Sequence, residues 1–168
     1  LYAEITKLLN TPSSMIGIVP GSTYLLTNAR ATTKSLAIDA NKKLVGATTD
    51  ANDEKQHWMF AQGANADSYV LWNVSSDTSI DAIENGEQGT ANSTTAAVSY
   101  KLISMGNGKM ALQCEDDNAR SLNLNDASGK VLGWTHEGDE GSLWTITAVT
   151  IDNTMQNIKE IQALIDKT

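Results

Sequence analysis

The sequence has few cysteines, no long apolar run and few basic residues, and each of these shortages excludes a structural or functional feature. One cysteine in 168 residues, Cys114, excludes an internal disulfide. The longest apolar stretches are four or five residues, far below the roughly 20 that a membrane-spanning helix needs. Lys and Arg number 12 against 20 Asp and Glu, which gives a net charge of −8. Because binding to a polyanion depends on clustered basic residues, we expect no nucleic acid as a partner.

Motifs of catalysis and metal binding are also missing from the sequence. The two histidines, His57 and His136, lack the spacing of a metal site, and Cys114 has no second cysteine with which to hold zinc. The patterns of a nucleophile elbow, a phosphate loop and a calcium loop do not occur. We therefore expect no enzyme activity, no metal and no cofactor. His57, between Gln56 and Trp58 on a predicted strand, is expected at the surface.

What the sequence does contain is an internal repeat of about 43 residues. Three similar strands each contain one aromatic residue, and these residues are 42 and 44 positions apart. They are Trp58, Tyr100 and Trp144. Spaced 43 and 44 residues apart, the glycines of the repeat are Gly46, Gly89 and Gly133. Ser-apolar pairs and opening strands recur with the same period. We interpret the aromatics as core residues, because they occupy one position in every repeat.

Each repeat is predicted to contain four short strands separated by turn-forming residues. In the third repeat the strands are expected at 109–113, 121–124, 130–134 and 143–147, where apolar and polar residues alternate. One such unit cannot bury its own apolar face. Three units can close around a pseudo-threefold axis, whereas a propeller with blades of this length generally needs four or more. The pattern therefore favours an all-β, closed three-repeat barrel.

The barrel is expected to span residues 20–149, with repeats at about 20–62, 66–104 and 107–149. Apolar residues at helical spacing predict a short amphipathic helix at each end of the chain, over 1–12 and over 152–168. Two interpretations of these helices stay open. They either pack on the barrel or on each other, or they belong to neighbouring domains of a larger protein.

Three motifs of the third repeat together resemble the signature of ricin-B-type lectin domains. They are Ser121-Leu122-Asn123-Leu124, Val131-Leu132-Gly133-Trp134 and Ser142-Leu143-Trp144. The resemblance covers roughly residues 20 to 149 and implies a β-trefoil fold. Within the family, a chain without disulfides is similar to fungal and some bacterial lectins. The activity implied is carbohydrate binding.

The resemblance also implies where a sugar would bind. Pockets of this family use an acidic or amide residue on the second strand and an aromatic residue after the third, because a ring packs on the C–H face of a hexose and a carboxylate or amide pairs with its hydroxyls. In the third repeat these positions are Asn123 and Trp134, with Asp126 and His136 on adjoining loops. Trp134 either stacks on a sugar or shields the barrel as a loop cap.

The other two repeats match the pattern less well. In the second repeat Asp81 occupies the acidic position, but Thr90 replaces the aromatic residue. In the first repeat Ala37 and Ala47 occupy both positions. Asp81 is therefore a candidate for a second site, and the third repeat is the preferred one.

The partners implied are glycans, either galactose-type or other sugars on glycoproteins or polysaccharides, with attachment to further domains left open. Two alternatives to a lectin remain. One is a protein-binding trefoil such as a protease inhibitor, in which a polar loop over Glu84–Thr95 would form the contact surface. The other is a structural domain of a larger protein whose sugar sites have decayed. The fold by itself does not choose among these.

Overall fold

A computed structural model describes residues 17–149 and 161–167 of the chain. The chain divides into two compact units, of which one is Gly17–Val149. The described residues of the other unit are helical over 161–166. The predicted helix at 1–12, and the part of the predicted 152–168 helix before residue 161, lie outside the described residues. Among the described helices, none has the length and apolarity to cross a membrane.

The unit Gly17–Val149 is built from short strands joined by turns. In chain order they are β1 Thr23–Asn28, β2 Lys34–Ile38, β3 Leu44–Thr48, β4 Trp58–Gln62, β5 Ser68–Asn73, β6 Thr78–Ser79, β7 Tyr100–Ser104, β8 Met110–Cys114, β9 Ser121–Asn125, β10 Lys130–Trp134 and β11 Leu143–Ala148. Short 3₁₀ turns at Glu54–Gln56 and Glu140–Ser142 precede β4 and β11. The four strands predicted for the third repeat agree with β8 to β11 to within one residue at each end.

Six of the strands close into a barrel. Strand β1 pairs with β4, β4 with β5, β5 with β7, β7 with β8, β8 with β11, and β11 again with β1, all antiparallel. The ring is therefore complete and leaves no unpaired barrel edge. Each repeat contributes its first and last strand to the ring.

The hairpins β2–β3 and β9–β10, together with β6 and the segment that follows it in the second repeat, cover one end of the barrel around the pseudo-threefold axis. The amide of Leu44 donates to the carbonyl of Gly89 at 2.9 Å, and the amide of Gly89 donates to the carbonyl of Val131 at 2.9 Å. The amide of Gly46 donates to the carbonyl of Gly129 at 2.9 Å. A six-stranded barrel capped by a triplet of hairpins is the β-trefoil, so the predicted fold class is confirmed.

The second repeat departs from the other two at its third strand. Instead of a regular strand it has single bridges, of which Asn85 to Gly133 and Gln88 to Leu132 reach the third repeat and Lys43 to Thr90 reaches the first. The polar segment Glu84–Thr95 is therefore partly paired with its neighbours, while many of its residues stay exposed. This segment fills the place of a cap strand, because its backbone groups pair with both neighbouring repeats.

The recurring aromatics lie at the centre of the barrel, as predicted. Trp58, Tyr100 and Trp144 are each 0% exposed and belong to one cluster of buried apolar residues. Their polar atoms are paired inside the core, which buried N–H and O–H groups require.

The expected surface position of His57 is wrong. Its side chain is buried, and its Nε2 lies 2.7 Å from the carbonyl oxygen of Ala51. His57 directly follows the 3₁₀ turn Glu54–Gln56 and lies just before β4 instead of on it. Strand alternation therefore does not apply to His57, whose ring contacts the loop at Ala51.

Candidate functional site

A cavity of about 410 Å³ opens on the surface of the third repeat. Its wall comes from β9, β10 and the turn between them, and from the loops that precede β2 and β11. Among the residues lining it are Arg30, Asn123, Asp126, Leu132, Trp134 and Asp139. The volume is in the range of small-molecule sites in proteins.

Trp134 ends β10 and forms one side of the cavity. Val131 and Gly133 point into the fold, so the alternation of the strand turns Leu132 and Trp134 outward. The Trp134 side chain is 45% exposed, whereas the core tryptophans have no exposure. A large aromatic surface is thus open to a partner at this place.

Asn123 lies opposite Leu132 in the β9–β10 pairing and is 8% exposed. Its Nδ2 donates to Ser142 Oγ at 2.8 Å and to Asp139 Oδ2 at 3.2 Å. The Ser142 hydroxyl in turn donates to the Thr135 carbonyl at 2.6 Å. Within the described residues no hydrogen bond reaches Asn123 Oδ1, so this oxygen is available as an acceptor.

Two charged residues of the cavity, Arg30 and Asp139, were not predicted from the sequence. Arg30 Nη2 forms an ion pair with Asp139 Oδ1, and the Gly141 amide donates to the same oxygen at 2.9 Å. Arg30 belongs to the first repeat. It reaches the third because β1 pairs with β11, with Asn28 opposite Trp144.

Asn28 fixes the loop that carries Arg30. It is 1% exposed, its Nδ2 donates to the Gly141 carbonyl at 2.9 Å, and its Oδ1 accepts from the amides of Arg30 and Ala31 at 3.1 and 3.0 Å. A buried amide with all these partners holds both loops rigidly. The Arg30 side chain therefore starts from a fixed backbone position beside Asp139.

Gly141 leaves room for the polar groups of the cavity. A Cβ at this residue would lie 3.1 Å from Arg30 Nη1, from Asn123 Nδ2 and from Asp139 Oδ1. Glycine therefore lets the three side chains approach one another closely, which is a recurrent reason for glycine beside a site.

The three remaining predicted site residues lie in different places. Asp126, on the β9–β10 turn, is exposed and lines the cavity. His136 is not among the residues that line the cavity, and its Nδ1 is 3.0 Å from Ser121 Oγ. Asp81 lies in the second repeat, and its Oδ2 accepts from Thr90 Oγ1 at 2.7 Å and from the Asn92 amide at 2.9 Å. The structure thus brings Asn123, Trp134 and Asp126 together and leaves Asp81 elsewhere.

A signal for Asp139 was present in the repeat itself. Asp139 stands three residues before Ser142, as Asp53 stands three residues before Gln56 in the first repeat. Both aspartates cap the short turn before the closing strand through a backbone amide, that of Gly141 or that of Lys55. Arg30 carries no such signal, because its role depends on the meeting of the first and third repeats.

The charge of the cavity is mixed, with Arg30 as its cation and Asp126 and Asp139 as its carboxylates. On the adjacent turn, the hydrogen bond and charge of Lys109, whose Nζ lies 2.7 Å from Glu140 Oε1, lower the pKa of Glu140. Among the described residues, no group of three or more His, Cys, Asp or Glu side chains could hold a metal ion. The arrangement offers hydrogen-bond acceptors, the Arg30 guanidinium as a donor, and the aromatic face of Trp134.

Comparison with known proteins gives a clear result for the fold. No protein-family model and no curated protein matches the sequence. Solved structures do match. The agglutinin of Rhizoctonia solani superposes with a TM-score of 0.66 at 20% identity, over 80% of this chain and 99% of that chain.

Two further structures are similar to the same degree. The lectin of Polyporus squamosus, bound to the human-type influenza-binding epitope Neu5Acα2-6Galβ1-4GlcNAc, gives a TM-score of 0.65 at 18% identity, over 77% of this chain and 50% of that chain. ThreeFoil, a designed 3-fold symmetric protein, gives 0.65 at 16% identity, over 74% of this chain and 97% of that chain. The resemblance inferred from the sequence motifs is thus confirmed for the fold.

Proposed function

We propose that this chain is a glycan-binding module, and that the cavity of the third repeat is its binding site. One observation carries the proposal above the others. An exposed tryptophan, Trp134, stands beside Asn123, whose carbonyl oxygen has no partner among the described residues, in a cavity of about 410 Å³. An aromatic face next to fixed polar groups is the chemistry that a sugar ring requires.

The proposed mechanism is reversible capture without bond breaking. The apolar C–H face of a pyranose packs on the Trp134 indole, while ring hydroxyls donate to Asn123 Oδ1 and to the Asp126 carboxylate. Arg30, which is half exposed, donates to a ring or hydroxyl oxygen. Each step is binding, so the proposal assigns the chain no catalytic role.

The similarity to known lectins supports this proposal at the level of the fold. The Polyporus squamosus lectin, at 18% identity, was solved with a sialylated trisaccharide, and an agglutinin has the same architecture at 20% identity. Identities this low do not specify the sugar. The ligands to test are therefore a broad set, which includes galactose-type sugars and other sugars of glycoproteins or polysaccharides.

A glycan array with matched variants tests the proposal. We expect the wild-type chain to bind a defined set of glycans, Trp134→Phe to retain them and Trp134→Leu to lose them, because leucine keeps an apolar side chain but removes the ring. Met105→Ala is the control, since Met105 is a 40% exposed apolar residue outside the cavity lining. It should bind as the wild type does.

Two results would contradict the proposal in different ways. A correctly folded wild-type chain that binds no glycan on the array would refute the lectin function. Glycan binding that survives in Trp134→Leu would refute the third repeat as its site. The thermal unfolding midpoint of each variant, which should equal that of the wild type, separates loss of binding from loss of fold.

A further inference from the structure

A continuous set of hydrogen bonds runs from the first repeat to the floor of the cavity. Arg30 Nη2 pairs with Asp139 Oδ1, and Asp139 Oδ2 accepts from Asn123 Nδ2 at 3.2 Å. The same Nδ2 donates to Ser142 Oγ at 2.8 Å. A carboxylate is an acceptor only, so the group of Asn123 that faces Asp139 must be the NH₂.

We infer that Asp139, held by Arg30, is a positioning residue that fixes the Asn123 carboxamide with its carbonyl oxygen toward the ligand. The inference rests on the proposed function and deepens it. Because both polar partners of the NH₂ group are protein side chains, those of Ser142 and Asp139, Asn123 presents only an acceptor to the cavity. The ligand must therefore supply a hydrogen-bond donor, a free hydroxyl, next to the aromatic face.

The Asn123–Asp139 contact predicts that aspartate cannot replace asparagine at position 123. In a sugar site an aspartate and an asparagine are often both suitable, since either offers an acceptor to a hydroxyl. Here Asn123→Asp would set a second carboxylate against Asp139 at the 3.2 Å distance, and like charges so close repel. The substitution that looks conservative should therefore disrupt the site.

A polarity-reversal cycle tests this directly. In Asp139→Asn combined with Asn123→Asp, the new asparagine keeps an oxygen for Arg30 and the Gly141 amide, and its NH₂ donates to the new aspartate. We expect each single variant to weaken binding of the best array glycan about tenfold or more, which corresponds to about 1.4 kcal/mol. We expect the double variant to bind more tightly than either single variant, but below the wild type, because the Ser142 hydroxyl must turn its proton from the Thr135 carbonyl to the new carboxylate. Isothermal titration calorimetry measures all four affinities.

The first repeat supplies a matched control for the aspartate that caps the turn before the closing strand. Asp53 occupies the position equivalent to Asp139, accepts from the Lys55 amide at 3.0 Å and from Gln56 Nε2 at 3.2 Å, and has Ala47 where the third repeat has a tryptophan. Asp53→Asn perturbs the same kind of turn outside the cavity. Its glycan affinity should equal that of the wild type.

The ligand side is tested with monodeoxyfluoro derivatives of the terminal sugar of that glycan. Fluorine replaces a hydroxyl without a donor, so one position should lose about tenfold in affinity. Given wild-type binding, any one of three results would overturn the inference. They are an Asn123→Asp variant with unchanged affinity, a double variant that binds no more tightly than the single variants, and unchanged affinity for every monodeoxyfluoro derivative. None of these results would remove the wild-type binding on which the proposed function depends.

Discussion

The indole nitrogen of Trp144 donates a hydrogen bond to the carbonyl oxygen of Leu122 at 2.9 Å. Trp58 makes the same bond to Leu36, also at 2.9 Å, and the hydroxyl of Tyr100 reaches the carbonyl of Asp81 at 2.6 Å. In each repeat, one aromatic side chain of the closing barrel strand thus bonds to the second strand of the same repeat or, for Asp81, to a residue two positions beyond that strand. The bond connects the barrel to its cap inside the core.

Removal of this bond should destabilise the domain. In Trp144→Phe the Leu122 carbonyl loses its partner in a fully buried place and the smaller ring leaves space, so we expect the free energy of unfolding to fall by about 2–4 kcal/mol. Urea denaturation measures the change. Trp134→Phe serves as the control, because an exposed aromatic should change stability by less than about 0.5 kcal/mol. Equal stabilities for the two variants would contradict this account of the core.

The cap glycines should differ sharply in their tolerance of alanine. A Cβ on Gly133 would lie 2.2 Å from the backbone oxygen of Glu84, whereas the three atoms nearest to a Cβ on Gly46 all belong to the Leu124 side chain, the closest at 2.6 Å. A leucine side chain can rotate away, but the Glu84 backbone is held by the cap. We therefore expect Gly133→Ala to lower the thermal midpoint considerably more than Gly46→Ala. The reverse order would show that the repeats approach one another differently.

Cys114 should make the stability of the domain sensitive to alkaline pH. The side chain is 1% exposed, and burial raises the pKa of its thiol from 9.0 to about 11. Between these values the unfolded chain releases the thiol proton and the folded chain retains it. The stability that the buried thiol contributes is therefore fully present below pH 9 and is lost as the pH rises toward 11.

The expected size of this effect can be tested with one variant. The thiol contributes a slope of at most about 1.4 kcal/mol per pH unit. Burial also raises the pKa of Tyr100, so part of the slope persists above pH 10. Urea denaturation between pH 8 and 10.5 should show a shallower decline for Cys114→Ala than for the wild type. Parallel curves would refute the proposed contribution of the thiol.

Binding stoichiometry should be one glycan per chain. The positions equivalent to Asn123 and Trp134 are Ala37 and Ala47 in the first repeat. In the second repeat Asp81 already accepts two hydrogen bonds from its own segment. Calorimetric titration with a soluble monovalent glycan should thus give one site, and Trp134→Leu should abolish the whole signal. A residual signal from a second site would assign a sugar-binding role to Asp81.

The architecture was predictable from the sequence because its cause is periodic. An aromatic that recurs at Trp58, Tyr100 and Trp144 must have the same environment in each repeat, and strand alternation locates the strands around it. The third repeat was predicted best. In the second repeat the segment around Gly89 keeps its glycine but lacks regular strand pairing, and its polar composition therefore indicated a loop.

The candidate site was predictable only where its residues share one repeat. Asn123, Trp134 and Asp126 follow the pattern of the third repeat and do line one cavity. Arg30 does not, because the closure of β1 on β11 brings it there. His57 shows a similar limit, since it lies outside the strand and its ring contacts a loop. Contacts between repeats depend on the closed ring, which a pattern within one repeat does not describe.

The ion pair of Arg30 with Asp139 joins residues 109 positions apart. We therefore expect ligand recognition at this cavity to be among the last properties that a refolding chain regains, because contacts of such long range carry a high loop-closure cost. A refolding chain followed by indole fluorescence of the core should regain its buried tryptophans no later than it regains affinity. Recovery of binding would then report that the ring of six barrel strands has closed.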